Sequence, residues 1–122
     1  MNSTHEGGVL DFKRRVSSWA QKLRAYPKQV VVMEMSRKWA SCSTRGRVCF
    51  ARDIIRLPAS LQNYIIIHEL LHLKHPNHGK VFRSVLQANL PRWRTLHTQL
   101  RHESPGRAPF SLCPIQFFGG KK

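Results

Sequence analysis

The fold of this chain is decided by the stretch Ile65-Ile66-Ile67-His68-Glu69-Leu70-Leu71-His72. Its apolar residues fill more than one face of a helix, so we expect this helix to be central and buried. Pro58 suits the start of the helix, and Pro76 forces it to stop soon after His75. The sequence therefore predicts a core helix that carries two histidines and one glutamate.

These three polar residues are spaced for metal chemistry. His68 and His72 are four residues apart, so they lie one turn apart on the same helical face and can reach one metal ion. Glu69 is rotated by about 100° from His68, which lets it lean over a water at the metal instead of ligating. Buried imidazoles are costly without a partner, and a metal ion supplies one. Nitrogen ligands with one open position are typical of catalytic zinc, so we expect Zn²⁺ as the cofactor and Glu69 as the catalytic residue.

The third zinc ligand is predicted to be His78, with His75 as the alternative. His75 follows His68 by seven residues, a rise of about 10.5 Å along a helix, and three ligands along one helix cannot easily surround one ion. His78 comes after a turn and can approach from another side. A downstream carboxylate would have to be Glu103, which lies in a polar segment near the tail and is disfavoured. The other histidines are expected to be solvated or on helix faces: His5, His97 and His102.

The rest of the chain predicts a small α+β domain. Residues 12–23 have helical spacing, residues 29–35 form an apolar β-branched strand, and residues 47–51 return as a strand after a turn at residues 43–46. Residues 79–89 and 93–100 predict two further helices. We expect a flexible N-terminus over residues 1–10, a domain over 11–103 and an irregular C-terminal tail over 104–122.

Composition limits the class of protein. At 122 residues the chain fits one domain. Its three cysteines lack Cys-x-x-Cys spacing and fit a reduced, cytoplasmic protein better than a disulfide framework. No secretory signal opens the chain, and the longest apolar run is too short for a bilayer, so no membrane partner is expected. The oligomeric state is left open.

The chain is strongly basic, with 21 Lys and Arg against 6 Asp and Glu and a net charge of +15. Non-specific contact with nucleic acid through phosphates would account for this charge. A solvated basic surface would account for it equally well, since the cations are scattered and form no known DNA-binding motif. Both interpretations stay open.

Two blocks of sequence resemble the YgjP-like metallopeptidases, relatives of the SprT-like zincins. The first is Lys38-Trp39-Ala40-Ser41-Cys42-Ser43, followed by Gly46-Arg47-Val48, which is similar to that family's hairpin. The second is Tyr64 to Lys74 with Asn77-His78 and Phe82. Lys38 and Ala40 stand where the family usually has Arg and Gly.

The resemblance implies a minimal zincin-like fold, in which a short antiparallel β-hairpin or sheet packs on the central helix with helices beside it. It also implies zinc ligation by His68, His72 and His78 and a base role for Glu69. The expected function is zinc-dependent hydrolysis of a peptide or protein substrate, and the SprT-like relatives suggest a substrate near nucleic acid. The alternative is a non-catalytic, zinc-stabilised basic module that binds nucleic acid or protein. Tyr64, Tyr26 and Arg or Lys side chains are candidates to stabilise an oxyanion, whereas Trp39 and Cys42 are expected in the core.

Overall fold

The computed structural model describes residues 4–43, 45–75, 79–103 and 108–110, with the backbone alone for residues 4–7 and 108–110. Four α-helices, four strands and one 3-10 helix alternate in this part of the chain. In chain order they are α1 (Thr4–Leu23), β1 (Gln29–Met33), β2 (Lys38–Cys42), β3 (Arg47–Ala51), the 3-10 helix (Arg52–Arg56), α2 (Ala59–Leu71), α3 (Lys80–Asn89), α4 (Trp93–Glu103) and β4 (Ala108–Phe110). The predicted α+β class is confirmed.

The strands form one sheet in the order β1-β3-β2-β4. β2 and β3 are the predicted antiparallel hairpin, and Ala40 lies opposite Phe50. Gly46 ends the turn of this hairpin with a φ of +93°, a backbone conformation that residues with a Cβ rarely adopt. β1 pairs with β3 and β4 pairs with β2, both in parallel. The sheet is therefore mixed, with parallel pairings at both edges that the sequence did not predict.

Helix α2 is the centre of the core, as predicted. Ten of its 13 residues are buried, because α1, α3, α4 and β2 all pack against it. α1 contributes Phe12, whose ring meets that of Phe50 on β3 edge to face at a centroid distance of 5.0 Å. Burying such side chains removes apolar surface from water, which is the main favourable term in folding.

Polar contacts fix α1 against the first turns of α2. Trp19 Nε1 donates to Asn63 Oδ1 at 3.1 Å, and Arg15 donates to Gln62 Oε1 at 3.2 Å. The amide nitrogen of Gln62 then donates to the carbonyl of Leu57 at 2.8 Å. Gln62 is buried, so these bonds offset the cost of taking its amide out of water.

Element boundaries differ from the expected ones at three places. α1 begins at Thr4, so the expected domain boundary at Asp11 falls inside a helix. α2 ends at Leu71, and His72 is its C-terminal capping residue. β4 lies within the tail that was expected to be irregular. No helix in the described ranges is long and apolar enough to cross a membrane.

Candidate metal site

His68 of α2 and His72, the capping residue of that helix, lie side by side at its C-terminal end. The ring centroids of His68 and His72 are 4.9 Å apart. With Zn–N bonds of about 2.0–2.1 Å and tetrahedral angles, two imidazoles on one zinc ion would have centroids about 5 Å apart. His68 is fully buried and His72 half-buried, so one ring belongs to the core and the other reaches its surface. The pair fits a shared metal ion.

A backbone carbonyl sets the tautomer of His72. Its Nδ1 lies 3.2 Å from the carbonyl oxygen of His75. Because a carbonyl oxygen only accepts, Nδ1 must carry the proton and donate, which leaves the lone pair of the neutral ring on Nε2. Outer hydrogen bonds of this kind orient imidazoles that bind metals. His75 thus acts on the site through its main chain.

Phe82 of α3 packs against both imidazoles. Its ring centroid lies 5.2 Å from that of His68 and 4.9 Å from that of His72. Phe82 is itself buried, so it limits the rotation of both rings and keeps water away from them. The site is therefore held from two sides, by the backbone after α2 and by α3.

Glu69 is buried beside this pair. Its carboxylate is 1% exposed, and Oε2 lies 4.0 Å from His68 Nδ1. Oε2 has no hydrogen-bond partner among the described residues. Burial raises the pKa of Glu69 to about 8, while the positive charge of Lys38 on β2 lowers it in part. A carboxylate so placed binds a proton more readily than an exposed one, which suits a general base.

The third predicted ligand, His78, lies outside the described residues, as do Pro76 and Asn77. Over the described ranges, no group of three or more His, Cys, Asp or Glu residues is gathered to hold a metal ion. Neither His75 nor Glu103 therefore completes a ligand set with His68 and His72. The ligand assignment of His78 stays a prediction.

His97, which was expected to be solvated or on a helix face, is a buried residue of α4. His97 is 8% exposed and shares a hydrogen bond of 2.9 Å with the buried hydroxyl of Tyr64. Its spacing from Trp93 and Leu100, four residues after one and three before the other, places it on the inward face of α4, and this spacing could have revealed it. Burial, and secondarily the charge of Arg101, lowers the pKa of His97 to about 4. The imidazole is neutral at pH 7.

The other candidate residues are Trp39, Tyr26 and Cys42, and they differ in how far their side chains are buried. Trp39 is a core residue as predicted, at 4% exposed, and Tyr26 is 65% exposed on the surface. Cys42 is half-buried, and its thiol donates to the carbonyl of Ser43 at 3.6 Å. Burial, then the charges of Glu69 and Cys49, raises the pKa of Cys42 to about 12. The thiol is protonated at neutral pH and is a poor nucleophile.

A mixed sheet on a buried helix with paired imidazoles and an adjacent carboxylate defines the metallopeptidase class with the His-Glu-x-x-His helix. Residues 5–103 match the YgjP-like metallopeptidase domain, and the chain belongs to that family. Its fold is similar to the crystal structure of the metallopeptidase zymogen abylysin of Pyrococcus abyssi, with a TM-score of 0.71 and 19% identity over 80% of this chain and 98% of that one. Comparison with curated protein sequences gives no match.

Proposed function

We propose that this chain is a zinc-dependent peptidase that hydrolyses peptide bonds in a peptide or protein substrate. The zinc ligands in this proposal are His68, His72 and His78, and the general base is Glu69. The observation that carries it is the pair of imidazoles 4.9 Å apart, one with its tautomer set by a carbonyl, next to a buried carboxylate. Membership of a metallopeptidase family supports the same reaction class.

The protein's own groups would act in the following way. A zinc ion bound here would polarise the scissile carbonyl and lower the pKa of a water. Glu69 takes a proton from the attacking water and passes it to the leaving amine. Burial raises the pKa of Glu69 to about 8 and so opposes its charged form, while the positive charge of Lys38 favours that form, as the charge of a bound zinc ion would. The Tyr64 ring packs against the imidazole of His68, and its hydroxyl shares a hydrogen bond with His97. In this proposal Tyr64 therefore positions the ligand His68 and does not stabilise the oxyanion.

The decisive experiment compares Glu69→Gln with the unchanged protein. Gln has nearly the same shape but cannot accept the proton as a carboxylate does, so the variant should bind about one zinc per chain and lose hydrolysis by at least about 100-fold. Zinc is measured by elemental mass spectrometry and hydrolysis with fluorescein-labelled casein. Equal hydrolysis by Glu69→Gln and the unchanged protein would refute Glu69 as the base, whereas zinc binding without hydrolysis by the unchanged protein would leave the non-catalytic zinc module.

The ligand assignment is tested on the same samples. His72→Ala and His78→Ala should each lose most of the bound zinc, because two nitrogen ligands hold the ion far less tightly than three. His102→Ala is the matched control, since this exposed histidine of α4 should leave the zinc content unchanged. Full zinc content in His78→Ala would exclude His78 as a ligand.

We also propose that the chain contacts nucleic acid non-specifically through a basic groove on α3 and α4. Lys80, Arg83 and Arg94 line this groove together with Trp93. The Arg94 guanidinium lies 4.4 Å from the centroid of the Trp93 ring, which fixes its direction without neutralising its charge. Three cations in one open groove on a chain of net charge +15 suit phosphates better than any neutral ligand.

A further inference from the structure

Four cations and one tyrosine gather at the end of the sheet where β1 and β3 begin. The N–H of Lys28 donates to the carbonyl of Gly46 at 2.8 Å, which holds the segment between α1 and β1 against the hairpin turn. Because a residue of extended chain spans at most about 3.6 Å, the whole cluster is roughly 20 Å across. Its side chains are all exposed, and we call them together the Tyr26 patch: Arg24, Tyr26, Lys28, Arg45 and Arg47.

The positive charge of the Tyr26 patch is not neutralised by the described residues. None of its four cations forms an ion pair with them. The sequence has no Asp or Glu over residues 12–33 or 35–52, and Glu34 is paired with Arg52 at 3.5 Å. Four uncompensated cations on one surface attract a polyanion.

The backbone of the hairpin turn holds three of these cations in place. A Cβ built on Gly46 would lie 3.1 Å from Cγ of Lys28 and 3.4 Å from its Cβ and Cδ. The glycine leaves room for this stem, so Lys28 lies on the turn that carries Arg45 and Arg47. The hydroxyl of Ser43 accepts from the N–H groups of both arginines at 3.2 Å, which fixes the backbone between them.

Arg24 occupies a backbone position that is most often taken by glycine. The end of α1 is a Schellman motif, because the N–H of Arg24 donates to the carbonyl of Gln21 at 3.3 Å. The N–H of Ala25 likewise donates to the carbonyl of Ala20 at 3.0 Å. The φ of Arg24 is +54°, a left-handed conformation that glycine adopts without the steric cost of a Cβ. The arginine therefore lowers stability here, and a partner for its guanidinium group would explain why it is present.

Tyr26 is presented to solvent between Arg24 and Lys28. It is 65% exposed, although its backbone is held on both sides. Ala25 before it is buried at 2% exposed, and Pro27 after it restricts Tyr26 to extended conformations. An exposed aromatic ring among cations is the arrangement on which an unpaired base stacks while Lys and Arg bind the neighbouring phosphates.

We propose that the Tyr26 patch binds single-stranded nucleic acid, with one base stacked on the Tyr26 ring and the flanking phosphates bound by the four cations. The patch shares no residue with the basic groove on α3 and α4, and the inference does not depend on the peptidase function. In that groove Trp93 is 3% exposed and Arg94 lies over its ring, so the ring is not available to a base. Only the Tyr26 patch can therefore distinguish an unpaired strand from a duplex, whose bases already stack on each other.

A lipid surface fits the Tyr26 patch less well than a nucleic acid does. Segments that bind to a bilayer insert a face of large apolar side chains, and this patch has one aromatic ring. The other large apolar residues that are exposed in the described ranges lie elsewhere, namely Leu10 in α1, Met33 at the far end of β1 and Val81 in α3.

Substitution of Tyr26 tests the stacking. Tyr26→Ala should weaken binding of a labelled oligothymidine of about ten nucleotides by at least about fivefold, which is the lower range for one base on an aromatic ring. Binding of a duplex of the same length should change by less than about twofold, because its bases are not free to stack. Tyr26→Phe is the matched control, since it keeps the ring and should bind both ligands as the unchanged protein does. Affinities are measured by anisotropy at about 50 mM salt.

Arg24→Gly separates charge from fold. Gly fits the φ of +54°, so the variant should unfold at a higher temperature than the unchanged protein. It should nevertheless bind the oligothymidine less tightly, and the slope of log K against log salt should fall by about 0.7, the value for one phosphate on a single strand. The matched control is Arg56→Gln, which removes an exposed arginine beyond the other end of β3 and should leave this slope unchanged.

Equal oligothymidine affinity of Tyr26→Ala and the unchanged protein would overturn the proposal. An equal loss of affinity for oligothymidine and duplex would also overturn it, because the patch would then bind phosphates alone. A lower unfolding temperature of Arg24→Gly would show that the arginine is needed for the fold and not for a ligand. In a chain with Lys80→Glu and Arg94→Glu, Tyr26→Ala should still weaken binding by at least about fivefold, and no effect in that chain would refute a separate site. Vesicles that contain phosphatidylserine should bind Tyr26→Ala and the unchanged protein alike, and loss of vesicle binding alone would assign the patch to membranes.

Discussion

The buried pair of Tyr64 and His97 should make the protein sensitive to acid. The two side chains share a hydrogen bond of 2.9 Å between α2 and α4, and their rings meet edge to face at 6.0 Å. His97 is neutral in the folded protein, because burial and the charge of Arg101 lower its pKa to about 4. In the unfolded chain the same imidazole has a pKa of about 6.5.

The sign and size of the effect follow from linkage. Because the folded pKa is the lower one, the stabilisation is present above pH 6.5 and is lost as the pH falls from 6.5 towards 4, where the unfolded chain binds a proton and the folded one does not. Between pH 7 and pH 5 the full shift corresponds to about 2 kcal/mol of unfolding free energy. Because His97 is 8% exposed, solvent screening reduces this contribution to the unfolding free energy to about 1–2 kcal/mol.

Urea unfolding of the unchanged protein and of His97→Gln at pH 7, 6 and 5 measures this contribution. Gln can still bond to the Tyr64 hydroxyl but does not titrate, so the variant should lose about 1–2 kcal/mol less stability over this interval. The other histidines contribute equally to both proteins and cancel in the comparison. His102→Gln, on the exposed side of the same helix, is the control for substitution of a histidine on α4. Parallel curves for the unchanged protein and His97→Gln would refute the account.

Two further predictions concern the hairpin turn and the basic groove. Gly46→Ala should cost about 1–2 kcal/mol in thermal unfolding, because φ is +93° and the new Cβ would lie 3.1 Å from Lys28 Cγ. Gly79→Ala has open space at its Cβ and should cost less than about 1 kcal/mol, which is the loss of a favoured N-cap residue of α3. Reversing the charge of Lys80 and Arg94 should weaken binding of single-stranded DNA at 50 mM salt by at least about tenfold and flatten its salt dependence, measured by anisotropy. Equal DNA affinity of the variant and the unchanged protein would show that these cations do not bind DNA and belong to a solvated basic surface.

The part of the fold that local sequence encodes was predictable. The α2 helix follows from its run of apolar residues on more than one helical face and from Pro58, and the β2–β3 hairpin follows from the turn that ends at Gly46. The same is true of the paired imidazoles, because helical spacing alone puts residues 68 and 72 on one face. Resemblance to a known family added the expectation that this hairpin packs on the central helix, as β2 does.

The parts that depend on distant pairing were not predictable. The parallel register of β1 with β3, and of β4 with β2, joins segments whose own sequences do not specify a partner. The orientation of His72 depends on a carbonyl that reaches it only after the chain leaves the helix at Leu71. These features arise from tertiary packing, which a pattern of residue types does not contain.

The two buried polar residues of α2, His68 and Glu69, suit the proposed chemistry but do not stabilise the fold. The apolar residues at positions 65–67, 70 and 71 are all buried and stabilise the core. His68 and Glu69 lie between them, fully buried as well, where taking an imidazole and a carboxyl group out of water costs free energy. An apolar residue at position 69 would avoid that cost, and the burial raises the pKa of Glu69 far above its ordinary value. The fold therefore carries an energetic cost at the place where the proposed mechanism needs a base beside two metal-binding nitrogens, and the surrounding isoleucines and leucines offset it.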